Sequence, residues 1–111
     1  DGMVIEFPLL VTNFLGKKIP AAGGFYLRSL PTKITKNAIK NYEKQGMPAS
    51  FYVHSWELTP EYMPKLDLPF KDNFATFHNI NDTYKRMNDI LEEFEFTSFA
   101  NYISQEMNLS N

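Results

Sequence analysis

The sequence contains no cysteine, one tryptophan and two histidines in 111 residues. Without cysteine the chain can form neither a disulfide framework nor a thiolate zinc site. The histidines, His54 and His78, lie far apart and form no HxxxH or HExxH motif. Because a metal site needs three or four converging ligands, the sequence predicts no complete metal site and no cofactor within this chain.

The sequence also lacks an excess of basic charge, long apolar runs and nucleotide-binding loops. Eleven Lys and Arg residues stand against 13 Asp and Glu residues, so the formal charge is −2. A protein that binds nucleic acid through its phosphates needs a basic surface, so we expect no nucleic-acid partner. The longest apolar run is interrupted by Glu6 and Pro8 and is too short to span a bilayer. There is no P-loop, GxSxG or GxGxxG motif.

The composition is that of a folded protein, since 43% of the residues are hydrophobic and 15% are aromatic. A length of 111 residues suits one compact domain. The chain opens on Asp1 and Gly2 and passes at once into an apolar segment. We therefore expect residues 1–111 to form a single domain or a fragment of a larger one.

Local patterns in the first half predict two strands and one helix. Residues 3–7 are rich in strand-forming side chains, whereas residues 8–22 are predicted to form a long loop. A helix is predicted over residues 32–45, with Thr32 as its cap and Gly46 just beyond its end. The continuous apolar run at residues 49–54 is typical of a strand buried on both faces. The predicted inner face of the helix is Ile34, Ala38, Ile39 and Tyr42.

The second half is predicted to contain a long irregular segment, two helices and a short strand. Residues 55–78 contain three prolines and are predicted to be irregular, as in a functional loop or lid. The next helix follows Asn81 or Asp82, residues 94–99 suggest a strand, and Thr97 or Ser98 caps the last helix. The predicted buried positions are Tyr84, Met87, Leu91 and Phe94 in the first helix and Phe99, Tyr102 and Ile103 in the second.

The order strand, helix, strand, helix, strand, helix is an α/β pattern. A few strands alternating with three helices are too few elements for an α/β domain that folds on its own. The pattern therefore indicates a portion of a larger sheet or barrel.

His54 is the first candidate site residue, because it ends the most apolar predicted strand. Sites in parallel-sheet proteins lie at the carboxyl ends of strands, and an imidazole there can act as a general acid or base. The alternative is a histidine that is hydrogen-bonded at the rim of the core.

Three further residues are candidates for shaping the site. Trp56 could form the wall of a sugar-binding cleft, or it could be a packing residue. Glu57 could accept a backbone hydrogen bond or pair with Arg28. Arg28 could orient a carboxylate in the site or lie at the surface, and its position after Gly23 and Gly24 favours a semi-buried, paired guanidinium.

Four blocks of the sequence carry a resemblance to a known family: IEFP, PAAGGFYLRSLP, ASFYVHSWEL and FHNINDTYKRMNDILEEFEFTSF. Together they resemble the C-terminal part of NodB-like polysaccharide deacetylases, a group of carbohydrate esterases, in the branch found in exopolysaccharide gene clusters. The resemblance covers residues 4–103 and is most specific in GGFYLRSLP and YVHSWEL. Ser55 stands where that family usually has proline.

The resemblance implies that the chain is the C-terminal portion of a distorted (β/α) barrel. In that family a zinc-type divalent metal, held by one Asp and two His, polarises the acetyl carbonyl and activates water, and a further Asp acts as base. A late-strand His, matched here by His54, acts as acid, and Arg28 matches a residue lining the site. The metal ligands and the base belong to the N-terminal part of the family pattern, for which this chain has no counterpart.

Under this interpretation the parent protein is an enzyme that hydrolyses N- or O-acetyl groups on a polysaccharide. The partners would be the polysaccharide and the missing N-terminal half of the same domain, and the isolated chain would be inactive. The expected location is the bacterial cytoplasm or cell envelope.

Two other functions are compatible with the residues. The chain could be a non-catalytic module that binds carbohydrate through Trp56, Tyr52 and Tyr62, or one that docks another domain through residues 55–78. It could also be a regulatory domain without a ligand, for which the sequence offers no positive sign.

Overall fold

The computed structural model describes residues 2–106, which form a mixed α/β fold dominated by helices. The α/β class predicted from the sequence is confirmed at this level. The two strands are β1 (Val11–Phe14) and β2 (Lys17–Pro20), and 3₁₀ turns cover Pro60–Tyr62 and Ile80–Asp82. The helices are α1 (Gly24–Ser29), α2 (Thr32–Lys44), α3 (Ser55–Leu58), α4 (Phe70–Phe77), α5 (Thr83–Glu93) and α6 (Phe99–Glu106).

An antiparallel hairpin lies where a long loop was predicted. Strands β1 and β2 pair in a register that sets Val11 opposite Pro20 and Phe14 opposite Lys17. The two-residue turn, Leu15 and Gly16, has φ angles of 52° and 78°. A positive φ at both positions matches the twist of the flanking strands, which is why two-residue hairpin turns favour it. The prediction was wrong because leucine rarely adopts this conformation, so Gly16 was the only local signal.

Helix α2 confirms the prediction made from its apolar spacing and its flanking residues. It spans Thr32–Lys44, one residue shorter than expected, and Pro31 rather than Thr32 occupies the cap position. Ala38 and Ile39 are buried. Gly46 follows the helix with a φ of 69°, the left-handed conformation that glycine adopts readily after a helix.

The three predicted strands at residues 3–7, 49–54 and 94–99 are absent as strands. Within the 49–54 segment the chain is extended but makes only two isolated parallel bridges, Leu9 with Ser50 and Gly23 with Tyr52. Tyr52 is 44% exposed, so the segment is not buried on both faces. A strand needs a continuous hydrogen-bonded neighbour, and the described residues pair with this segment at only these two points.

One edge of the extended segment is open in the described part of the chain. Tyr52 donates its backbone N–H to the carbonyl of Ala22, and Ser50 accepts from Leu10. Because successive backbone groups of an extended chain face opposite edges, Phe51 and Val53 face the other side. No backbone hydrogen bond is formed by either residue among residues 2–106.

Two helices lie in the region predicted to be irregular. Helix α3 begins directly after His54, and α4 spans Phe70–Phe77, so that only residues 63–69 between the 3₁₀ turn and α4 lack regular structure. The prediction was wrong because two of the three prolines lie at element boundaries. Pro60 begins the 3₁₀ turn and Pro69 is the residue before α4.

The starts of the last two helices agree with the predictions, and the predicted inner face of α5 is confirmed at Met87 and Phe94 but not at its other two positions. Helix α5 follows Asp82, as expected, yet Tyr84 is 66% exposed and Leu91 is also exposed. In α6, the Ser98 hydroxyl accepts the backbone N–H of Asn101 at 3.1 Å, a capping bond. Phe99 and Tyr102 pack on Phe7. The face of α5 turned inward is Thr83, Met87, Ile90 and Phe94.

The core is small for the length of the chain. The radius of gyration is 16.1 Å, against about 13 Å for a compact chain of this length. The described residues contain no helix long and apolar enough to cross a membrane. Within the part of the chain that the structure describes, large apolar side chains remain exposed at fourteen positions, among them Phe70, Phe96 and Phe99. The buried apolar residues are Leu10, Ala21, Ala22, Leu27, Leu30, Ala38, Ile39 and Ile90.

Candidate functional site

Arg28 lies at the centre of the candidate site with its side chain only 2% exposed. It projects from α1, and its Nη1 donates to the carbonyls of Thr76 and His78 at 3.0 and 2.8 Å. Its Nη2 donates to the carbonyl of Ala75 at 3.1 Å. These carbonyls belong to the end of α4, where helical hydrogen bonding leaves oxygens without a partner. The predicted semi-buried, paired arginine is confirmed.

Glu57 joins Arg28 to His54. Its carboxylate is 1% exposed, and Oε1 lies 3.4 Å from Arg28 Nη2. Oε2 accepts the backbone N–H of His54 at 2.7 Å and lies 3.3 Å from Nδ1 of the His54 ring. The two alternatives for Glu57, a backbone hydrogen bond and a pair with Arg28, therefore both occur.

The position of Glu57 follows from the start of α3. His54 precedes the first turn of the helix, and Glu57 is the third helical residue, whose side chain reaches back to the N–H of the capping residue. This contact is one half of a capping box, and it fixes the carboxylate beside the imidazole.

Burial sets the electrostatics of the pair. Removal from water lowers the pKa of Arg28 from its ordinary value, while the Glu57 carboxylate acts in the opposite direction. A guanidinium remains charged at neutral pH even so. The site therefore contains the buried positive charge of Arg28 next to the carboxylate of Glu57.

His54 presents its ring to the surface, with the side chain 56% exposed. Nδ1 faces Glu57, whereas Nε2 has no hydrogen-bond partner among residues 2–106. A carboxylate on one ring nitrogen fixes the orientation of the ring and favours a proton on that nitrogen. Nε2 is then the atom that can exchange a proton with a ligand.

Two aromatic rings flank the imidazole. The ring of Tyr52 meets it edge to face at 5.5 Å between centroids, and the indole of Trp56 is stacked on it at 5.8 Å. The structure thus places Trp56 against His54, which Glu57 joins to Arg28, so that the four predicted site residues form one continuous series of contacts. One face of the Trp56 ring is occupied by His54.

Two glycines allow the extended segment to approach α1. A Cβ atom on Gly23 would collide with the carbonyl oxygen of Tyr52, and Gly23 has a φ of 137°, which side-chain-bearing residues rarely adopt. A Cβ on Gly24 would lie 3.3 Å from the Tyr52 hydroxyl. The Gly23–Gly24 pair is therefore needed to bring the segment ending in His54 against the helix that carries Arg28.

Two supporting residues were not identified from the sequence. Asn79, with a left-handed φ of 54°, donates its side-chain N–H to the carbonyl of Arg28 at 3.0 Å. Arg86 on α5 donates to the carbonyls of Leu27 and Leu30 near the end of α1. Asparagine tolerates the left-handed conformation and so offers a weak local signal, whereas nothing near Arg86 in the sequence indicates its partners.

The described residues contain no group of three or more His, Asp or Glu side chains that could hold a metal ion. The Nδ1 of His54 faces Glu57, and His78 packs against Phe74. The donors of residues 2–106 therefore do not fit a complete metal centre.

Comparison with known proteins gives one family. The domain described as a domain of unknown function, DUF3473, matches residues 1–104. The chain belongs to the DUF3473 family. No curated protein and no solved structure matches the chain. The DUF3473 region includes all four candidate site residues, but its description assigns no activity to them.

Proposed function

We propose that this DUF3473 chain is the C-terminal part of a metal-dependent polysaccharide deacetylase that removes N- or O-acetyl groups. The observation that carries the proposal is the Arg28–Glu57–His54 arrangement, in which a buried, charge-paired carboxylate orients an exposed imidazole. The resemblance of GGFYLRSLP and YVHSWEL to deacetylase segments supports it, because these two segments supply all four site residues.

In this function His54 is the general acid. When the acetyl group is cleaved, the bond from the carbonyl carbon to the sugar nitrogen or oxygen breaks, and the leaving atom takes a proton from Nε2. Glu57, with Oε2 3.3 Å from Nδ1, holds the ring in the orientation that presents Nε2, while Arg28 holds Glu57 in place. The groups that bind metal and activate water would come from the part of the site that this chain does not supply.

The extended segment 49–54 supports the proposal that the chain is part of a (β/α) barrel. Its two bridges are both parallel, and it delivers His54 at its carboxyl end, where barrel enzymes place their catalytic groups. The open edge at Phe51 and Val53 offers the donors and acceptors on which a further strand would pair. The exposed apolar side chains provide a surface on which the rest of the domain would pack.

The isolated chain is expected to show no deacetylase activity on acetylated chito-oligosaccharides with added zinc or cobalt, whereas a protein that also carries the metal-bearing half is expected to release acetate. The reason is that residues 2–106 provide an acid but no metal ligand set. Acetate release is the measurement, and a heat-inactivated sample is the control. Robust activity of the isolated chain would contradict the proposed division of the site.

A second candidate is a non-catalytic carbohydrate-binding module, which is favoured by the aromatic rings of Tyr52 and Trp56 beside His54. Titration of the isolated, isotope-labelled chain with oligosaccharides separates the two functions. Saturable chemical-shift changes around Trp56 would favour the binding module, and their absence favours an incomplete catalytic site.

A further inference from the structure

Helix α4 is attached to the protein by few contacts. None of its residues is buried, and Phe70 is 83% exposed. On the inner side, the ring of Phe25 contacts the rings of Phe74 and His78, with centroids 5.7 and 6.2 Å apart. The guanidinium of Arg28 also holds the end of the helix.

Most of the hydrogen bonds of the buried Arg28 guanidinium depend on this helix. Three of its contacts go to the carbonyls of Ala75, Thr76 and His78, and a fourth goes to Glu57. The Nε of Arg28 has no partner among the described residues. If α4 moved away, the guanidinium would lose three of these four partners.

We propose that α4 controls the orientation of His54 through Arg28 and Glu57, with Phe74 and His78 as positioning residues. A buried charge that loses its partners is strongly unfavourable, so the guanidinium would turn towards water when α4 leaves. Glu57 would then lose its cation, and the bonds from its Oε2 to His54 would open more often. A ligand that displaced or held α4 would thereby alter the proton-exchanging residue at a distance.

The inference depends on the proposed function only for the identity of the reaction that the coupling would affect. The contacts themselves exist in this chain without substrate. The His54 backbone N–H is a direct reporter, since Oε2 of Glu57 accepts it. Two nearby amides serve as references. Leu10 donates to Ser50 and Tyr52 donates to Ala22, and neither bond involves Arg28 or Glu57.

The test is amide hydrogen exchange, followed by NMR in wild type and in the Phe74→Ala and Lys71→Ala variants. Phe74→Ala removes the ring that contacts Phe25, so the His54 amide is expected to exchange about three- to tenfold faster while the Leu10 and Tyr52 amides are unchanged. Lys71→Ala is the matched control on the same helix, because Lys71 is exposed and its side chain makes no hydrogen bond or ion pair among residues 2–106. Its His54 exchange is expected to stay within about twofold of wild type.

A second variant, Ala75→Pro, breaks α4 directly and does not depend on the aromatic contacts. It is expected to accelerate His54 exchange at least as much as Phe74→Ala. The proposal is overturned if the His54 amide remains as slow as wild type in Ala75→Pro, or if the Leu10 and Tyr52 amides accelerate with it, which indicates general loss of stability. No substrate is involved, so failure of the deacetylase proposal would leave this result intact.

Discussion

At the scale of residues, the Arg28–Glu57 pair is the feature on which the site depends. Both side chains are almost completely buried, so solvent screens the pair little. Removing one member of a buried ion pair leaves the other charge uncompensated, which is far more costly than losing a surface pair.

Glu57→Gln is therefore expected to lower the free energy of unfolding by about 3 kcal/mol or more. Urea unfolding, with sucrose present to keep the variant folded, provides the measurement. Glu61→Gln is the matched control, since Glu61 is exposed, and it should change stability by less than about 0.5 kcal/mol. Equal effects of the two substitutions would show that the pair contributes nothing beyond a surface charge.

Residue types in the sequence predicted part of this site. An arginine after two glycines and a glutamate just past a histidine were sufficient to predict the Arg28–Glu57 pair as one of two alternatives for Glu57. The contacts of Arg28 with Ala75, Thr76 and His78 could not be predicted, because they join residues 47 to 50 positions apart and involve backbone carbonyls, which carry no sequence signal.

At the scale of elements, the open edge of the segment 49–53 makes a prediction about backbone protection. In the isolated chain the Tyr52 amide, which is hydrogen-bonded, should exchange with solvent at least about tenfold more slowly than the amides of Phe51 and Val53. In a protein that includes the metal-bearing half, the Phe51 and Val53 amides should become protected as well. Protection of these two amides in the isolated chain would show that this edge of the segment is not open.

Helices were predicted better than strands for a physical reason. The signals for α2 and for the start of α6 are local: apolar spacing, a following glycine and a capping serine. A strand is defined by its neighbours, so the apolar run at residues 49–54 looked like a buried strand although the described residues pair with it at only two points. The inner face of α5 was predicted only in part, because Thr83, a polar residue, takes a buried position.

At the scale of the whole molecule, the protein combines a small core with extensive exposed apolar surface and a radius of gyration of 16.1 Å. Large exposed apolar surface is typical of faces that contact another protein segment. Membership of the DUF3473 family leaves the activity open. The deacetylase proposal accounts for the open edge, the exposed surface and the oriented histidine together.

The most direct measurement of the central claim is the turnover of a metal-loaded protein that contains both halves, compared before and after His54→Ala. If His54 is the general acid, turnover on acetylated oligosaccharides should fall by about 100-fold or more while the bound metal content is unchanged. Lys33→Ala, an exposed change on α2, is the control and should retain wild-type turnover. Turnover of His54→Ala equal to that of the control would remove His54 from the acid role and contradict the account.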